Sequence, residues 1–123
     1  MTKKILIADD EPNIIISLEF LLRREGYEVV VAQDGVEALA QVRAERPDMA
    51  ILDVMMPHRN GFEVCQDLRH DPEFRSLRIM MLTAKGRDTE VSKGLALGAD
   101  VYMTKPFATR DLIAKVKALL ERA

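Results

Sequence analysis

The chain is 123 residues long, 48% apolar and 31% charged, with 20 acidic and 18 basic side chains giving a net charge of −2. That length suits one domain around one core, the balance excludes a disordered chain, and the lack of a basic excess gives no footprint for direct nucleic-acid binding. No apolar run approaches the ~20 residues that span a bilayer, and Cys65, the single cysteine, excludes an internal disulfide framework.

Met1, Thr2, Lys3 and Lys4 lead straight into the first apolar run, so a cytoplasmic chain with no membrane partner is expected. Short runs rich in Ile, Val, Leu and Met at residues 5–8, 28–32, 49–52, 79–82 and 101–103 lack polar alternation, as strands covered on both faces do. Between them, apolar residues recur three or four apart. After Asp10, Pro12 fits a first helical turn, and Gly26 stops that helix beyond Leu18, Leu21 and Leu22. Asp34 with Glu37, and Asn60 with Glu63, have capping-box spacing and open the second and third helices. Cys65 shares a helical face with Phe62 and Leu68, which predicts a buried thiol. A fourth helix is expected over residues 87–97, ending at Gly98. The fifth follows Thr109, with Leu112, Ile113, Val116, Leu119 and Leu120 as its apolar stripe and Arg110, Lys115 and Lys117 left to solvent.

Strict alternation of five strands and five helices uses up residues 1–123, so the expectation is one α/β domain, a doubly wound sandwich, with no output domain attached. Right-handed crossovers put functional loops beyond the carboxyl ends of the strands. Asp9, Asp10 and Glu11 stand there after the first strand, Asp53 after the third, Thr83 after the fourth and Lys105 after the fifth. Each has an ordinary structural explanation when taken alone: an acidic pair complements a helix N-terminus, Asp53 suits a turn, Thr83 a strand, and Lys105 solvent. Together they mark one edge of one sheet. The first and third strands are neighbours in the common doubly wound orders, which brings Asp9, Asp10 and Asp53 together. Three carboxylates need a cation, and oxygen donors with no His or Cys cluster favour magnesium, with manganese admissible.

The segments ILIADDEP, PDMAILDVMMP with Gly61 following, MLTA and GADVYMTKPF carry a resemblance over the whole length: the chain resembles the receiver domain of two-component response regulators. The resemblance implies a flavodoxin-like (βα)5 sandwich with a five-stranded parallel sheet in the order 2-1-3-4-5. It also implies a phosphoacceptor that assists its own phosphorylation and dephosphorylation, not an enzyme in the ordinary sense. Asp53 would take the phosphoryl group from a phosphohistidine of a sensor histidine kinase or phosphotransfer protein. Asp10, Asp53 and the backbone carbonyl of Met55 would hold magnesium directly, and Asp9 through water. Lys105 would hold the phosphoryl oxygens, aimed by a cis peptide between Lys105 and Pro106. Thr83 would donate its hydroxyl to the phosphorylated form, and Tyr102 would change rotamer as Thr83 moves. The fourth helix, fifth strand and fifth helix would form the surface that switches and binds a downstream effector protein, with a phosphorylation-dependent dimer left open.

Departures from the family pattern are few. His58, Arg59 and Asn60 follow Pro57 where many relatives have Gly, an apolar residue and Asp, and a solvated loop is expected there. His58 and His70 lack the surroundings of a catalytic base and read as surface imidazoles. Met55 and Lys85 stand at the two positions that tune hydrolysis in relatives, and neither offers a way to orient water. Core packing is the expectation for Met55, Met56, Met80 and Met81. Three competing readings fare worse. A flavodoxin-like cofactor module would need Gly, Ser and Thr amides where the acidic loop stands, and has no tryptophan to stack on a flavin. An aspartyl-phosphate phosphatase would need an acid at Met55, and a scaffold that never carries phosphate would not need the full set of site residues.

Overall fold

The computed structural model describes residues 2–83, 93 and 95–121, with Thr83 described by its backbone. Five strands, β1 (Lys4–Ala8), β2 (Glu28–Ala32), β3 (Met49–Asp53), β4 (Arg78–Thr83) and β5 (Val101–Thr104), form one parallel sheet in the order β2-β1-β3-β4-β5. The helices among the described residues are α1 (Pro12–Arg24), α2 (Gly35–Glu45), α3 (Gly61–His70) and α4 (Thr109–Glu121). The helix expected over residues 87–97 falls largely outside the described residues, although Lys93, Leu95 and Ala96 are helical. α4 is therefore the fifth helix anticipated from the sequence.

Every strand alternates its side chains between two cores, because successive residues of a pleated strand face opposite ways. Leu6, Ala8, Ala50, Leu52, Ile79 and Met81 face α2 and α3 and pack against Ala38, Val42, Val64 and Leu68. Ile5, Ile7, Met49, Ile51, Met80 and Leu82 face α1 and α4 and pack against Leu18, Leu22, Leu112 and Val116. Burial on both faces explains the unbroken apolar runs. Truncating any of the fully buried leucines or isoleucines to Ala should cost about 2–5 kcal/mol.

Local chemistry sets where the helices begin and end. Asn60 and Glu63 form the full reciprocal capping box, Asn60 Oδ1 accepting from the Glu63 amide at 2.9 Å and Glu63 Oε1 from the Asn60 amide at 3.0 Å. At α2 only half of the expected box forms. Asp34 caps the Glu37 amide at 2.8 Å, but the Glu37 carboxylate reaches one residue further back, to the Gln33 amide at 2.6 Å. Gly26 (φ 92°) and Gly98 (φ 105°), the two glycines expected to end helices, have left-handed backbone. Strands β1, β3, β4 and β5 each run one or two residues beyond the apolar runs, since pairing continues through Lys4, Asp53, Arg78, Thr83 and Thr104.

A half-buried arginine ties α3 to the entry of β5. Arg69 donates from Nε to the Gly98 carbonyl at 2.7 Å, from Nη1 to the Leu77 and Arg75 carbonyls at 2.6 and 3.0 Å, and from Nη2 to Asp100 Oδ2 at 3.0 Å. Asp100 Oδ2 also accepts the Ile79 amide at 2.8 Å. The arrangement fixes the start of β5 beside β4, which sets the register that carries Lys105 to the sheet edge.

Candidate functional site

The parallel pairing of Ala8 with Leu52 ends β1 and β3 at the same level. Asp9 continues β1, its amide bonded to the Ala32 carbonyl at 3.1 Å, while Asp53 is the last residue of β3. These two are the buried charged residues among those described, 1% and 4% exposed. Asp10 and Glu11 lie beside them at the surface, Glu11 at the N-cap of α1 with Pro12 next in the first turn. Oxygens from Asp9, Asp10, Glu11 and Asp53 all fall within 4.8 Å of one another.

Lys105 is the cation facing this group. It directly follows β5, the peptide from it to Pro106 is cis, and its side chain is 9% exposed. Nζ donates to Asp9 Oδ2 at 2.9 Å and to Glu11 Oε1 at 3.2 Å, and stands 3.9 Å from Asp53 Oδ1. Asp9 Oδ1 accepts the Glu11 amide at 2.9 Å, which fixes the turn into α1.

Among the described residues one ammonium faces four carboxylates, and the Asp53 carboxyl is shifted accordingly. Burial, then the negative charge of Asp9, pushes its carboxyl from the ordinary 3.8 up to about 7; Lys105 and the Met55 amide oppose the rise, and Asp10 adds to it. For Lys105, burial alone would lower the ammonium, but the Asp9 hydrogen bond and the charge of Asp53 outweigh it and hold it above its usual value. A divalent cation among the same oxygens would supply the missing charge. An oxygen donor set of this kind, partly open to water, suits a hard ion such as magnesium.

The remaining anticipated residues sit around this edge. Thr83 ends β4 opposite Thr104. Tyr102 pairs with Met81 in β5 and packs half-buried against the core on the α2 and α3 side. Gly61, at the start of α3, permits a close approach: a Cβ there would lie 2.4 Å from the Asp53 carbonyl oxygen and 2.9 Å from the Met81 methyl. Lys85 is outside the described residues. His58 and His70 are exposed, and the buried Cys65 thiol is pushed up to about 11 by burial, as an inert core thiol should be.

Two expectations need correction. Core packing accounts for Met56, Met80 and Met81, at 7%, 0% and 0% exposure, but Met55 is 59% exposed because β3 has already ended at Asp53. The loop through Arg59 is not simply solvated. Arg59 is ion-paired to Asp67 and lies 3.9 Å from Glu63, and its carbonyl oxygen would be 2.0 Å from a Cβ placed on Gly35, so the loop is pressed against the start of α2. Sequence reasoning also passed over Glu11 as a partner of Lys105. Its place directly after Asp9 and Asp10 was the available signal.

A family model described as the response regulator receiver domain matches residues 5–117. The chain belongs to the response regulator receiver family. It is 49% identical over its full length to the alkaline phosphatase synthesis transcriptional regulatory protein PhoP of Bacillus subtilis (strain 168), and spans 50% of that protein. A protein of Chloroflexus aurantiacus J-10-fl assigned as a response regulator has a crystal structure that superimposes with a TM-score of 0.95 at 38% identity, covering 99% of this chain and 100% of that one. The beryllofluoride-activated N-terminal receiver domain of Klebsiella pneumoniae RstA superimposes with a TM-score of 0.91 at 28% identity, covering 98% and 100%. The receiver resemblance read from the four segments is thus borne out, and so is the order 2-1-3-4-5. As a receiver, the chain is a module of two-component signalling, and its acidic edge is a candidate magnesium group.

Proposed function

We propose that this receiver accepts a phosphoryl group on Asp53 from a phosphohistidine of a sensor histidine kinase or a phosphotransfer protein, and that the modified form binds a downstream effector. The observation that carries it is the convergence of a buried Asp53 carboxylate, the Lys105 ammonium at 3.9 Å, and three further carboxylates within 4.8 Å. Asp10, Asp53 and the Met55 carbonyl would hold magnesium directly, with Asp9 acting through water. When bound, the ion supplies positive charge to the equatorial oxygens of the phosphoryl group in flight.

The residues of the chain divide the rest of the work. Asp53 presents an oxygen to the phosphorus, and its burial keeps water from screening the charges around it. Lys105 neutralises the oxygen that develops charge on the side facing β5. Thr83, at the end of β4, would donate its hydroxyl to the phosphorylated form, and Tyr102 on the neighbouring strand would follow it. A shift in their balance would bias the surface of β5 and α4, together with the helix expected over residues 87–97, between two populations. Residues 1–123 would act as one such domain, assisting their own phosphorylation and dephosphorylation in the cytoplasm.

Incubation with a small acyl-phosphate donor tests this. Intact mass should rise by one phosphoryl group with magnesium and stay unchanged in chelator. Labelling that is indifferent to magnesium would contradict the proposal.

A further inference from the structure

The N-cap of α1 is held by a residue poorly suited to capping. Ser, Thr, Asp and Asn cap well because their short side chains fold back on the helix amides. Glu11 makes no such bond. Its carboxylate turns away from its own helix to Lys105 Nζ, 94 residues distant in sequence, at 3.2 Å. The backbone beneath it is fixed by the bond from its amide to Asp9 Oδ1. A residue that leaves its helix uncapped to contact a buried ammonium is placed for the site more than for the helix.

The geometry defines what that contact does. Two donors of the ammonium are taken by Asp9 and Glu11 at hydrogen-bond distance, while Asp53 waits at 3.9 Å, beyond it. Asp9 is buried beneath Lys105, and Glu11, 57% exposed, covers it from the solvent side. A phosphoryl group on Asp53 would draw the ammonium and its third N–H toward its own oxygens, stretching the longer bond, which is the one to the exposed Glu11.

We infer that Glu11 is a positioning residue: it holds Lys105 back in the unmodified receiver and competes with the phosphoryl group for it. This rests on the reading of Asp53 as the acceptor. Glu11 touches none of the reacting atoms and acts through Lys105. It thereby weights the switch toward the unmodified form, by an amount set by one partly exposed ion pair.

Beryllofluoride with magnesium serves as the probe, since it stands in for a phosphoryl group on a carboxylate. Its affinity would be measured for the wild type, Glu11→Gln and Glu11→Asp. Gln removes the charge, whereas Asp keeps the charge but is one methylene too short to reach Nζ. Both variants should bind more tightly than the wild type by roughly two- to fivefold, the scale of a partly exposed pair. If only Glu11→Gln gains, a simple field effect on an anion explains it and the tether is wrong; if neither gains, or either loses, it is wrong as well. A wild type that fails to bind the probe, or an Asp53→Asn protein that binds it equally well, would instead remove the acceptor reading, and the inference with it.

Discussion

Lys105 Nζ lies 2.9 Å from Asp9 Oδ2 but 3.9 Å from Asp53 Oδ1. The lysine therefore serves chiefly the buried aspartate of the β1 edge, and Asp53 lies beyond its hydrogen-bond reach. The behaviour of this receiver without magnesium should follow from that asymmetry.

Crowded carboxylates oppose folding unless a cation joins them. Asp10→Asn removes one charge while nearly keeping the shape, so in chelator it should melt a few degrees above the wild type. Magnesium should stabilise the wild type by mass action and stabilise the variant much less. Thermal melts with and without magnesium check both. A variant that melts lower in chelator and responds normally to the ion would mean that Asp10 serves only the turn into α1.

The pH dependence has a definite sign. The Asp53 carboxyl is raised from 3.8 to about 7 in the folded, metal-free chain. In that window the native state keeps a proton that the unfolded state has lost, so the contribution to stability is complete below the lower value and disappears as pH rises through the upper one. Urea melts in chelator should show stability falling between pH 5 and 8 on the order of the titration of one group. Asp53→Asn should flatten that fall and raise the melting temperature at pH 8 by on the order of 5 °C. Equal slopes in the two proteins would contradict the assignment.

Arg69 supports the fold away from the chemistry. Arg69→Met would withdraw the guanidinium from the carbonyls of Gly98, Leu77 and Arg75 and from Asp100. The expected loss is about 2–3 kcal/mol in denaturant melts. At a temperature where the variant is still folded, magnesium-dependent labelling should persist, because none of these groups touches the site.

The sequence made some of this visible and hid the rest for physical reasons. Continuous apolar runs revealed buried parallel strands because both sheet faces are covered, and each chemically capable residue stood at a strand end. The outer limits of the strands were less legible, since Lys4 and Arg78 pair by backbone regardless of their side chains. The same holds for Met55, whose exposure depends on β3 ending two residues earlier. Contacts between distant segments carry no local pattern at all. The approach of Arg59 to Gly35, the four bonds of Arg69 and the turn of Glu11 toward Lys105 emerge only when α1, α2, α3 and β5 are brought together. Glu11 stood in the row of acidic residues after the first strand, but nothing local to it names Lys105 as its partner.

The central claim is that Asp53 is the residue that receives phosphate. The most direct measurement is the intact mass of the wild type and of Asp53→Asn after incubation with a small acyl-phosphate donor and magnesium, with the modified peptide then located by fragmentation. The account predicts a single added phosphoryl group on the wild type, carried by the peptide that contains Asp53, and none on the variant. Labelling of Asp53→Asn at the wild-type rate, or a modified peptide elsewhere in the chain, would contradict it.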